Sequence, residues 1–340
     1  MTRIAVLGAG SWGTAMASLA ARRNDVVLWA REPEVVEGIN LRHTNPLFLS
    51  DFALPGSLGA TSAIHEAIGG AEVVVIAAPS RFYRSVVHQA SKSLPDDVPV
   101  LSLTKGLEAV TLLRMTEVAG QELPLHRPES IGVLTGPNLA REVIAGQPAA
   151  TVVAFSDAGL ARRLQKMLMD NAFRVYTQTD VIGCEIGGSV KNVIALACGM
   201  AEGLGYGANS QAALVTRGLA ESTRLGVALG GKAFTFLGLA GIGDLFATCT
   251  SPHSRNRTVG VALGRGEDLA KILSGMTMVA EGVQTAEPAV ALAQRAGVEM
   301  PVAEQVVAVL RGERTVADAV GLLMCRPARS ELAGIRSGPT

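Results

Sequence analysis

The chain has 340 residues, of which 48% are hydrophobic, and its 30 Lys+Arg balance its 30 Asp+Glu. That length exceeds one ordinary core and suits two domains, and the apolar content excludes general disorder. Zero formal charge removes the overall basic footprint that a nucleic-acid binder needs.

Short β-branched runs alternate with amphipathic stretches through the first half. Strands are predicted at residues 4–7, 26–29, 73–77, 98–103, 131–134, 151–155 and 174–176, and helices near 14–22, 82–94, 112–120 and 158–170. Near-continuous apolar strands separated by helices indicate a parallel sheet covered on both faces. From about residue 180 the strand signal fades, and Ala/Leu/Val-rich segments with helical spacing follow at 185–201, 211–229, 288–296 and 302–310. The expected architecture is α/β: a doubly wound sheet over residues 1–184, an all-helical domain over 185–332, and a frayed tail over 333–340.

Gly8-Ala9-Gly10-Ser11-Trp12-Gly13 follows the first predicted strand and opens a helical pattern. In that setting G-x-G-x-x-G is the dinucleotide fingerprint: one glycine turns the chain, one admits a pyrophosphate, one lets helix pack on strand. Amides at the helix start then face the phosphates. The second strand ends near Arg31, where an acidic residue would select an adenosine 2′-hydroxyl; Arg31 suits a 2′-phosphate and favours NADP(H), with NAD(H) still compatible. The alternative for Arg31 is a solvated arginine paired with Glu32 or Glu34.

Lys191 lies inside the apolar stretch 184–196. Its helical neighbours three and four residues away are Gly187, Gly188, Ile194 and Ala195, so no acidic partner sits beside it. A buried ammonium is costly unless chemistry requires it. Hydride reduction of a ketone puts negative charge on oxygen and needs a donor that then delivers a proton, which suits a lysine of lowered pKa. The alternative is a snorkelling surface lysine. Lys105 stands at the carboxyl end of a predicted strand, where open α/β sheets place ligands, or else is an ordinary loop lysine. Ser254-Arg255-Asn256-Arg257 reads as a phosphate clamp at a helix start, or as a serine N-cap followed by solvated arginines. Asp244 can hold the Lys191 ammonium or a substrate hydroxyl, or simply start a helix, and Glu281 is locally indistinguishable from a helix-start carboxylate.

Cys184, Cys198, Cys249 and Cys325 form no C-x-x-C pair and read as reduced thiols of a cytoplasmic protein. The scattered histidines have no ligand spacing, so no metal site is expected. The first residues are too short a run for a signal peptide, and no apolar run is read as long enough to span a bilayer.

Taken together, these segments resemble the bacterial NAD(P)-dependent glycerol-3-phosphate dehydrogenases. The likeness runs through Gly8–Gly13, residues 104–108, 135–140, 190–195, 213–221, 238–245, Cys249-Thr250, 254–257, Glu281-Gly282 and 298–301. It implies a Rossmann-type domain, an all-helical domain of the 6-phosphogluconate-dehydrogenase-like kind, and an active site between them. It also implies interconversion of dihydroxyacetone phosphate and sn-glycerol 3-phosphate for glycerophospholipid synthesis, and a homodimer. On the matching positions Lys191 would be the general acid/base. Lys105, Gly136, Asn138, Asp244, Ser254, Arg255 and Asn256 would line the substrate. Gly8, Gly10, Ser11, Trp12, Gly13, Arg31, Lys105, Ala140, Arg255, Val279 and Glu281 would line the cofactor. Asn138 departs from the Ser or Thr often found there, although it still donates and accepts. Two rivals remain at this point: a related hydroxy-acid or phosphogluconate-type dehydrogenase, and a non-catalytic dinucleotide sensor.

Overall fold

Strand β1 (Arg3–Leu7) is buried from Ile4 onward, as a central strand covered on both faces must be. The computed structural model describes residues 1–276, 279–328 and 330–331. Around β1 it builds one sheet with β2 (Asp25–Trp29), β3 (Gly59–Thr61), β4 (Val73–Ile76), β5 (Val100–Ser102), β6 (Ile131–Thr135), β7 (Ala149–Ala154) and β8 (Phe173–Gln178). The order is β3-β2-β1-β4-β5-β6-β7-β8. The chain therefore leaves β1 in one direction for β2 and β3, then crosses back to β4, which is a topological switch beside β1. Pairing is parallel except between β6 and β7, where Val133 faces Ala154 in antiparallel register. The all-parallel expectation is corrected there.

Seven helices accompany the sheet: α1 (Ser11–Ala20), α2 (Pro33–Arg42), α3 (Ile64–Ile68), α4 (Ser80–Ser91), α5 (Met115–Glu122), α6 (Ala140–Ile144) and α7 (Ala158–Leu168). A helix expected from residue 112 starts only at Met115, because Leu112 takes a left-handed φ of 61° that no helix accommodates. β3 has three residues at a sheet edge, too few to show a period.

The second unit is helical: α8 (Val181–Gly203), α9 (Ala208–Ala228), α10 (Asp244–Thr250), α11 (Arg255–Gly264), α12 (Leu269–Ser274), α13 (Glu281–Arg295), α14 (Pro301–Leu310) and α15 (Val316–Met324). A π-helical turn, Leu239–Gly243, feeds α10. α13 begins at Glu281 and carries Pro288 in its interior, so the reading of Pro288 as a start is corrected. α8 spans 23 residues at a mean hydropathy of 1.4, long and apolar enough by composition to cross a bilayer. The expectation that no run reaches that length is overturned, yet most of that helix is buried within the fold. Glycines bring α8 and α11 together: a Cβ on Gly199 would sit 2.9 Å from Gly260 Cα, and one on Gly203 2.8 Å from Gly264 Cα. The approach seats the start of α11 beside the middle of α8.

The division into units does not follow a single cut. Residues Met1–Thr104 and Met115–Val181 form the first, whereas Lys105–Arg114 belongs with Ile182 onward. A cut after residue 184 would also fall inside α8. Leu107 sits in the second unit's apolar core with Val190, Val193 and Ile194. The tail read as frayed, 333–340, lies outside the described residues.

Candidate active site

The predicted site residues fall into two sets, one in each unit. In the first unit, Gly8 has φ 120°, and a Cβ there would lie 2.8 Å from the Ala77 carbonyl. A Cβ on Gly13 would lie 1.9 Å from Gly8 O, so helix α1 can seat against the loop only with glycine there. Around Gly10 nothing lies within 4 Å of the Cβ position, which leaves a ligand room to approach the backbone. Gly10 is the N-cap of α1 and no side chain caps that helix, so its first amides face outward from the carboxyl end of β1. The indole Nε1 of Trp12 is buried without a partner. These features fit a dinucleotide pyrophosphate.

Asn45, which the sequence did not single out, braces this loop. Its amide donates to Ala9 O and to Thr14 Oγ1, both at 2.8 Å, and Asn45 is fully buried. The Ser11 hydroxyl donates to Phe48 O at 3.3 Å. Arg31, largely exposed, is engaged by Glu32 at 2.7 Å. Gly136 has φ 145° and passes close to Thr151, to whose Oγ1 Asn138 donates at 2.8 Å. The Asn138 Oδ1 is left buried without a partner. Ala140 opens α6, which packs on α1.

In the second unit α8 delivers Lys191, only 7% exposed, to the start of α10. Its ammonium donates to Asp244 Oδ1 and, at 2.6 Å, to Thr248 Oγ1. The other carboxylate oxygen, Oδ2, accepts from Lys105 Nζ at 2.7 Å. Asp244 is 1% exposed, so one buried carboxylate holds two ammonium groups. Thr248 lies one turn beyond Asp244 on α10 and passes its own proton to Asp244 O at 2.7 Å, which leaves its lone pairs for Lys191. Burial lowers the Lys191 pKa most; Lys105 lowers it further, Asp244 opposes both, and the result is about 7. Such a group carries a proton at neutral pH and gives it up readily.

From the next residue the network continues. Asn192 Oδ1 accepts from Asn256 Nδ2, and Asn256 Oδ1 accepts from Gly282 N, both at 2.9 Å. A Cβ on Gly282 would lie 2.5 Å from Asn192 O, so the residue after Glu281 must be small. Ser254 caps α11, its hydroxyl accepting from Arg257 N at 3.3 Å. The Arg255 guanidinium, on an exposed residue, donates to Val279 O at 2.7 Å. Arg257 pairs with Glu202 at 2.5 Å. Glu281 is the first residue of α13. Thr248 was missed in the sequence; asking what stands one helical turn from Asp244 finds it. Among the described residues no three His, Cys, Asp or Glu gather to hold a metal ion.

Two family signatures match the chain: "NAD-dependent glycerol-3-phosphate dehydrogenase N-terminus" over residues 3–161 and the corresponding C-terminus over residues 180–321. The chain is 53% identical over 316 residues to the NAD(P)+ glycerol-3-phosphate dehydrogenase 2 of Sphingopyxis alaskensis, covering 93% of this chain and 94% of that one. It is 49% identical to the Thermobifida fusca NAD(P)+ glycerol-3-phosphate dehydrogenase over 98% of this chain and 100% of that one. Among solved structures, the Coxiella burnetii glycerol-3-phosphate dehydrogenase superposes with a TM-score of 0.91 at 37% identity, covering 96% and 99% of the two chains. The chain belongs to the NAD-dependent glycerol-3-phosphate dehydrogenase family.

Proposed function

We infer that this protein interconverts dihydroxyacetone phosphate and sn-glycerol 3-phosphate with NAD(P)(H), Lys191 acting as the general acid and base. The supporting observation is the buried Lys191 ammonium, shared with Asp244 and Thr248 and facing a second cation, Lys105. The nicotinamide supplies or accepts the hydride at C2. An ammonium has three N–H groups; Asp244 and Thr248 take two of Lys191's, and the third serves the substrate oxygen. In reduction, negative charge grows on that oxygen as hydride arrives, and Lys191 stabilises it and then hands over its proton. In oxidation neutral Lys191 takes the hydroxyl proton. A pKa of about 7 serves both directions near neutrality.

Asp244 orients Lys191 and offsets much of the cost of burying its ammonium. The start of α11, with the Arg255 guanidinium and Asn256, is the binding place for the phosphate dianion: a helix N-terminus and a forked cation suit three acceptor oxygens. Gly136 and Asn138 line the substrate in the same reading. Gly8, Gly10, Ser11, Trp12, Gly13 and Ala140 hold the dinucleotide, Arg31 favours its 2′-phosphate, and Lys105, Val279 and Glu281 serve its nicotinamide end. The dinucleotide-sensor alternative gives no reason to bury Lys191 with Asp244 and bring Lys105 to the same carboxylate. The protein is expected to act in the cytoplasm and as a homodimer.

The test is to follow NADPH and NADH oxidation in parallel with dihydroxyacetone phosphate, unphosphorylated dihydroxyacetone and short oxo acids. Phosphorylated ketone should be far the best substrate. Faster turnover of an oxo acid would move the assignment to a hydroxy-acid dehydrogenase.

A further inference from the structure

The segment Lys105–Arg114 comes from the first half of the sequence yet belongs to the helical unit. It is a preformed strap: Leu107 and Arg114 pair as an antiparallel bridge, and Glu108 N donates to Leu113 O at 3.0 Å. Thr111 Oγ1 donates to Glu108 Oε2 at 2.5 Å, tying the tip. Two points on α8, one turn apart, fasten it. At one, the Ser189 hydroxyl accepts from Gly106 N at 3.0 Å and donates to Gly106 O at 3.2 Å. At the other, the Arg114 guanidinium meets the buried Glu185 carboxylate at 2.5 Å, the side chains 13% and 4% exposed. Gly106 is buried with φ 154°, a backbone that a side chain resists, and it directly follows Lys105.

We infer that this latch, Ser189 with the Glu185–Arg114 pair, is a positioning device that holds the Lys105 ammonium at Asp244 and so tunes Lys191 as acid and base. The inference rests on the role of Lys191 given above. Lys105 is long and flexible, and by itself an ammonium prefers water to a buried carboxylate that already has a cation. Fixing the backbone one residue away limits that escape. Ser189, Glu185 and Lys191 share one helix, so the latch and the acid are parts of one rigid element.

The charged and titratable groups facing Lys191 are Asp244 and Cys249 on α10 and Lys105 on the strap. Cys249 has its thiol pushed up by a hydrogen bond with Cys198 on α8 and by burial, so it stays neutral and contributes no charge. Asp244 favours the protonated lysine and Lys105 disfavours it. Releasing the strap therefore removes a positive neighbour and frees Asp244 for Lys191. Both changes raise the Lys191 pKa, and the base form then appears only at higher pH.

The experiment measures kcat/KM for glycerol 3-phosphate oxidation against pH in wild type, Ser189→Ala, Glu185→Gln, Lys105→Met and the Ser189→Ala/Lys105→Met double variant. The substrate phosphate's own second ionisation, near pH 6, is common to all five, so differences between profiles belong to the protein. Lys105→Met should move the activating midpoint upward. Ser189→Ala and Glu185→Gln should move it the same way and no further, and the double variant should match Lys105→Met alone. Glu185→Gln removes the carboxylate that Arg114 meets at 2.5 Å and is the harsher change; Ser189→Ala removes one hydroxyl and carries the test if that protein misfolds. A Ser189→Ala enzyme with lower activity but an unmoved midpoint, beside a shifted Lys105→Met, would show the strap to be merely structural and overturn the proposal. An unmoved midpoint in Lys105→Met overturns the coupling itself, while loss of turnover in Lys191→Met would leave the functional reading standing. No oxidation of glycerol 3-phosphate by wild type would sink both.

Discussion

Replacing Lys191 with methionine should destroy activity and stabilise the protein, a combination that separates a catalytic burial from a structural one. The drop of the Lys191 pKa from 10.5 to about 7 corresponds to about 4–5 kcal/mol of folding free energy lost in keeping the ammonium inside. Methionine has a similar reach and no charge, so that cost disappears. The attraction to Asp244 raises the Lys191 pKa and is already counted in that figure, and Asp244 keeps Lys105 at 2.7 Å and is not stranded. The net expectation is a gain of up to about 4 kcal/mol at pH 7.

The pH dependence fixes the sign. Between the folded value near 7 and the unfolded value of 10.5, the unfolded chain binds the proton that the native state has shed, so wild-type stability from this group rises with pH. The advantage of Lys191→Met should therefore be full below pH 7 and shrink as pH climbs towards 10.5. Urea unfolding of both proteins at pH 6, 7, 8 and 9 reads the gap, with differences in midpoint compared because two units need not unfold as one. Turnover should fall by about 10²- to 10⁴-fold, the usual worth of a positioned acid. A variant less stable than wild type at every pH, or a gap that widens as pH rises, would refute the assignment of a strained, proton-shedding lysine.

Three further outcomes follow from the same geometry. Asp244→Asn removes the carboxylate that holds the buried Lys191 ammonium; the Lys191 pKa should fall further, and the pH above which ketone reduction fails should move down, which a pH–rate profile reads; an upward move would contradict the network. Arg255→Ala should cut kcat/KM for dihydroxyacetone phosphate by roughly 10- to 150-fold, the worth of a charged hydrogen bond, and leave unphosphorylated dihydroxyacetone nearly unchanged; equal losses on both ketones would remove arginine from the phosphate site. Arg31→Ala should raise the KM for NADPH more than that for NADH, whereas equal effects would mean that the Glu32 ion pair is all that Arg31 does.

What the sequence made legible was local. Gly8–Gly13 could be read because a strand, a turn and a helix start are contiguous, and each glycine has a backbone reason visible in the pattern. Lys191 could be read because an ammonium amid apolar residues is anomalous within one helix. The antiparallel β7 was invisible because a buried apolar strand carries no mark of its direction. β3 was lost because three residues at an edge show no period. The last residues of the strap, from Leu112, were read as the beginning of a helix because Leu112 and Leu113 extend an apolar rhythm, while the left-handed backbone of Leu112 leaves no trace in composition.

The cluster around Lys191 shows the deeper limit. Periodicity on α8 says that Lys191 has no partner, and within that helix this is true. Its partners come from a strap 86 positions earlier and from a helix start 53 positions later, so each is an ordinary residue in its own neighbourhood: a loop lysine, a helix-start aspartate, a threonine one turn on. Only assembly turns them into one charge system. Two cations on one buried carboxylate is an arrangement that folding alone disfavours, since desolvation exceeds what a single shared anion returns. Its persistence in an otherwise well-packed helical core is best explained by the reaction: a lysine left without the second cation would hold its proton too firmly to serve as a base, and one left without the carboxylate would not keep it long enough to serve as an acid.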